Sequence, residues 1–205
     1  MRKRHPLLLP SLLSLCVLGG VACTLDPVHQ DAVDALGGSE GPYPDETEFH
    51  RRGQPCVLCH GGKGPADTEF LLGGTVFWGK CDDPKKKDDC NRAPVGNAHV
   101  RIRSAVGAVR CFTTNAAGNF YVKKSDWSDF KFPYLATVEK DGTVRVMGSH
   151  ASREGSCAAC HKSEASQSSP GQIYMVSDKS SIPADAKAQW PAPSGYKQEP
   201  KECTP

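Results

Sequence analysis

Ala98-His99-Val100-Arg101-Ile102-Arg103 sets three apolar residues in strict alternation with three polar ones. A period of two sends successive side chains to opposite faces of an extended chain, so this stretch predicts a strand with one buried and one wet face. Working outward, Gly74-Thr75-Val76-Phe77-Trp78 reads as an earlier strand, and residues 109–113, 120–122, 133–139 and 144–147 as later ones. Asn115-Ala116-Ala117-Gly118-Asn119 and Asp141-Gly142 supply turns between them. Six short strands at this spacing predict a mainly β fold, a small antiparallel β-sandwich over residues 73–147. Composition agrees: 20 Gly, 16 Pro and only 7% aromatic residues in a chain of 205 argue against a helical bundle. The formal charge of +2 is too balanced to signal nucleic-acid binding, and no such partner is expected.

The first residues point to export. Arg2, Lys3 and Arg4 precede an apolar run over residues 7–21, which ends at Ala22-Cys23. A basic start, a short apolar run and a small residue before the cut describe a secretory signal over residues 1–22. Cleavage before Cys23 resembles bacterial lipoprotein processing, which implies acylation of Cys23; ordinary signal cleavage nearby is the alternative. With three basic residues removed, the 25 basic residues fall to 22 against 23 acidic ones. Residues 23–49 lack periodicity and read as a tether. The expected location is the periplasm or cell surface, at the outer membrane through a lipid anchor.

Two cysteine pairs carry the chemistry. Cys56-Val57-Leu58-Cys59-His60 and Cys157-Ala158-Ala159-Cys160-His161 repeat one five-residue pattern, and each resembles the attachment site of a c-type cytochrome. Two thiols three positions apart lie along one side of a helical turn and can form thioethers to the two vinyl groups of one haem. The resemblance implies two covalent haem c groups, with His60 and His161 as proximal iron ligands. Two local disulfides, one four-thiol zinc site and a thioredoxin-like redox motif are the rivals. The first two leave both histidines unexplained, and no βαβ pattern supports the third. The haem-binding segments, irregular or short-helical, are expected at 50–72 and 148–166, before and after the sandwich. Residues 167–205 read as an extended or disordered tail.

His50 lies six residues before Cys56, and His150 seven before Cys157. Six extended residues span about 20 Å, enough to carry an imidazole round to the far side of either haem, so both histidines are distal candidates. Met147 and Met175 compete in principle, but ordinary packing accounts for both. Cys81, Cys90, Cys111 and Cys203 remain as an even number in an oxidising compartment, so two disulfides are expected. Three connectivities are open; the charged loop between Cys81 and Cys90 favours that pair, leaving Cys111 with Cys203.

Gly74-Thr75-Val76, Pro94-Val95-Gly96-Asn97-Ala98-His99-Val100 and Thr113-Thr114-Asn115-Ala116-Ala117-Gly118-Asn119-Phe120 resemble the carboxypeptidase regulatory-like, prealbumin-type sandwich. The resemblance implies a binding or scaffolding module and no peptidase activity. Together these features predict a dihaem c-type cytochrome, bis-His ligated, transferring electrons to and from redox proteins of the cell envelope. One rival is a small dihaem oxidoreductase or peroxidase with an open iron site. Another is a surface binding module in which haem is incidental. The sequence carries no sign of oligomeric state.

Overall fold

The computed structural model describes residues 26–38, 47–80 and 93–186. The signal, Cys23, Cys81, Cys90 and Cys203 fall outside them, while Cys111 is disulfide-bonded. Among the described residues no helix is long and apolar enough to cross a membrane.

The chain is mainly β and forms a two-layer sandwich. Helix α1 (Pro27–Asp34) and the short α2 (Cys56–His60) precede β1 (Phe70–Gly79). Then follow β2 (His99–Ser104), β3 (Val109–Thr113), β4 (Asn119–Lys123), β5 (Tyr134–Lys140) and β6 (Thr143–Val146). The short α3 (Cys157–Cys160) leads to a small hairpin, β7 (Ala165–Ser166) with β8 (Ser169–Pro170), and to β9 (Ile173–Val176). One sheet has the order β4-β1-β9 and the other β3-β2-β5-β6. In β2 the alternation holds residue by residue: Val100 and Ile102 are fully buried, Arg101 and Arg103 exposed. Leu72, Val76 and Trp78 from β1 and Phe120 and Val122 from β4 meet them in the core.

Turn chemistry sets the registers. Asn115 Oδ1 accepts hydrogen bonds from the backbone N–H of Ala117 and Asn119. Gly118 follows at φ +75°, where a Cβ would lie 2.3 Å from Val76 O. Asp141 and Gly142 both take positive φ, 49° and 77°, as a two-residue hairpin requires.

Three features depart from the expected layout. Helix α1 lies within the stretch read as a tether; Asp26 caps it by accepting from His29 N–H, and Pro27 suits its first turn. Strand β1 starts at Phe70, inside the first expected haem-binding segment, with a bulge between Phe70 and Leu72. Strand β9 lies in the stretch read as a tail, and it pairs with β1 in parallel, whereas only antiparallel pairs were expected. A parallel neighbour needs a long crossover, and here the whole second sheet and α3 intervene. Met175 on β9 is completely buried. Met175→Ala should therefore cost about 2–5 kcal/mol in chemical denaturation; an unchanged midpoint would show that β9 lies outside the cooperative core.

Candidate functional site

Strand β1 carries glycine at two consecutive positions, and a cysteine-bearing segment closes on each. An ideal Cβ at Gly73 would lie 3.2 Å from both Cβ and Sγ of Cys56. At Gly74 it would lie 2.7 Å from Cys157 Cβ and 2.8 Å from its Sγ. Neighbouring positions of a strand face opposite ways, so Cys56 sits on one face of β1 and Cys157 on the other. Gly74 shares parity with buried Leu72, Val76 and Trp78, which makes its face the inner one. Adding these contacts to the 3.8 Å Cα spacing leaves the two sulfurs no more than about 13 Å apart.

The second segment is tied both to β1 and to the first segment. Ser156 bridges to Gly73 and Gly73 N–H donates to Gly155 O at 2.9 Å, while Val57 N–H donates to Ser156 Oγ at 2.8 Å. Residues 155 and 156 thus occupy the edge of β1 that β9 takes further along.

The first segment faces a groove of about 230 Å³ on the outer face of the smaller sheet, lined by His50, Cys56, Cys59, His60, Phe70 and Tyr121 among others. The bulge gives Phe70 its place there. Without it, Phe70 would share the inward parity of Leu72; one extra residue turns it outward. His60, Phe70 and Tyr121 then form a stack, with ring centres 4.0 and 4.7 Å apart. His50 lies across from His60 with ring centres 5.9 Å apart. The loop carrying His50 is tied to the sandwich: Asn119 Nδ2 donates to His50 O at 2.9 Å, Asn115 Nδ2 to Glu48 O at 2.7 Å, and Gly53 N–H to Thr75 Oγ1 at 2.7 Å.

The second segment faces a groove of about 310 Å³ at the mouth between the two sheets. Cys157, Cys160 and His161 line it beside apolar residues including Val100, Ala136, Val138 and Ile173. Met147 lines it too. His150 is exposed and is not among the lining residues.

The three groove histidines share one arrangement. Nδ1 of His60 lies 2.8 Å from Thr68 O, Nδ1 of His161 lies 2.9 Å from Gly171 O, and Nδ1 of His50 contacts Thr47 O. A carbonyl only accepts, so each Nδ1 carries a proton, and in the neutral ring it is Nε2 that holds the lone pair. That is the tautomer a metal-ligating imidazole needs, fixed by its outer-shell partner. Burial, the largest influence, lowers the His60 pKa and favours the neutral ring.

The first thiol of each pair is unlike a redox-active one. Burial pushes Cys56 up to about 11 and Cys157 up to about 12. Catalytic CxxC thiols have lowered values, in electropositive and accessible surroundings. None of the four is in a disulfide. Among the described residues no three His, Cys, Asp or Glu side chains converge as a metal site, so the four thiols do not assemble into one tetrahedral cage. Each segment instead places two cysteines and one histidine along a mainly apolar groove, which fits a covalently held haem. No known protein family, curated protein or solved structure matches the chain.

The sequence reading gave Gly73 and Gly74 no part in the site, took Asn115 and Asn119 as turn residues only, and weighed Met147 but assigned it to packing. The paired glycines did carry a signal, because glycine inside a strand marks close approach of other chain or ligand. Gly74→Ala should destabilise by about 1–3 kcal/mol, since the Cys157 Cβ it meets is anchored to backbone. Gly73→Ala should stay within about 1 kcal/mol, its looser contacts offset by the better strand entropy of alanine. Equal losses in thermal denaturation of the two variants would contradict this placement of the segments.

Proposed function

We propose that this protein is a dihaem c-type electron carrier of the bacterial cell envelope. The observation that carries the proposal is the pair of CxxCH segments packed on opposite faces of β1 at Gly73 and Gly74, each opening on its own groove. Cys56 and Cys59 would hold one haem, with His60 and His50 as its axial ligands. Cys157 and Cys160 would hold the other, with His161 as its proximal ligand. When bound, the two groups supply one-electron chemistry; the chain sets their ligands, burial and separation.

Each residue type has a defined task. The backbone carbonyls of Thr68, Gly171 and Thr47 hold Nδ1 protons and keep Nε2 as the donor atom. The Phe70–Tyr121 stack fixes the plane of the His60 ring and keeps water from it. The hydrogen bonds from Asn115 and Asn119 hold the His50 loop against the sheet, so the distal imidazole arrives preorganised. Attachment sulfurs within about 13 Å across one strand suit electron exchange between the two sites. A peroxidase needs one iron with an exchangeable position, and the paired His50 and His60 disfavour that at the first site.

Two further parts of the proposal come from the sequence: export, with a lipid chain at Cys23 anchoring the protein at the outer membrane, and envelope redox proteins as partners. The Ser variants of each cysteine pair test the assignment. In protein made with a haem-attachment system, Cys56→Ser with Cys59→Ser should lower the intact mass by one haem. Cys157→Ser with Cys160→Ser should remove the other. Mass unaltered by either double substitution would end the proposal.

A further inference from the structure

The inter-sheet groove has two walls, and they carry different donor atoms. His161 hangs from the β4-β1-β9 side, its Nδ1 held 2.9 Å from Gly171 O just ahead of β9. Met147 stands on the other sheet. Its N–H donates to Ala136 O at 3.0 Å and so extends the β5–β6 ladder one residue past Val146. It is therefore placed by paired backbone rather than by a loose loop.

Alternation along β6 sets its direction. Val144 and Val146 are 52% and 71% exposed. Arg145 faces the opposite way: its Nε donates to Met175 O at 2.7 Å and its guanidinium lies over the Tyr174 ring. Met147 continues the row of Arg145; the groove's rim takes in Arg145, Val146 and Met147 together. Met147 is only half-buried, unlike Met175, which is sealed in the core. Core packing explains Met175; it leaves a thioether at the open mouth of a groove unexplained. His150 fails the same test: it is exposed and does not line the groove.

Resting on the dihaem reading, we infer that Met147 is the sixth iron ligand of the second haem, opposite His161. A soft thioether suits this position and raises the potential of a His-ligated haem iron. The first site, with two imidazoles, is then the more reducing of the two. With haem bound at both places, a reduced donor protein would give its electron at the His50–His60 side and an oxidised acceptor protein would collect it at the His161–Met147 side. The ligand asymmetry gives the molecule a direction.

Proton NMR of the reduced holoprotein, with both haems confirmed by mass, tests the assignment without any partner. One methionine methyl resonance should be shifted far upfield by the haem ring current. Met147→Leu should abolish it and lower the upper of two midpoint potentials, whereas Met175→Leu and His150→Ala keep it. Met147→His should restore low-spin iron while drawing the two potentials together. An upfield methyl missing from the wild type, or an upper potential that responds to His150→Ala and not to Met147→Leu, overturns the inference and leaves the dihaem reading standing. A wild type without covalent haem sinks both.

Discussion

Two missing side chains in the middle of a strand make room for the rest of this structure. At Gly74 even a methyl group would lie 2.7 Å from the Cys157 Cβ, closer than side-chain carbons approach non-bonded neighbours. Strand interiors do not favour glycine, which loses more backbone freedom than any other residue and packs nothing. Here the gap is filled from both sides by segments separated by about a hundred positions in sequence. Gly155 is bonded backbone to backbone with Gly73 of β1, and the two segments meet hydroxyl to backbone, Ser156 to Val57. Close approach of the two CxxCH segments is thus a property of β1 itself.

The sandwich then gives the two segments different surroundings. One faces outward onto aromatic rings and a loop pinned by Asn115 and Asn119. The other faces the mouth between sheets, where strand residues from both layers supply an apolar lining. Asn115 works twice: its Oδ1 closes the turn between β3 and β4, and its Nδ2 holds the His50 loop. Scaffold and site therefore share residues, and a change in that turn would be felt in the first groove.

Much of this was legible in the residues. Alternation in residues 98–103 and the Asp141-Gly142 turn marked strands and hairpin because the local period and the demand for positive φ act on the chain directly. Strand β9 escaped notice for the opposite reason. Ile173-Tyr174-Met175-Val176 is four residues long, and its burial comes from β1, nearly a hundred positions away. The outward turn of Phe70 depends on a bulge set by pairing with β4, which no local pattern announces. Met147 was read as packing because its position on a groove wall exists only once both sheets are assembled. His50 could be singled out by its nearness to the thiols, and it lines the first groove; for His150 a similar spacing led to an exposed side chain.

The proposed function requires two haems bonded to one chain. Acidified organic solvent strips haem that is merely ligated and leaves thioether-linked haem on the protein. The most direct measurement is therefore the haem-to-protein ratio of material from an attachment-competent host, read before and after such extraction. The account predicts two per chain, unchanged by the solvent. A colourless protein, a ratio of one, or haem that leaves with the solvent would contradict it.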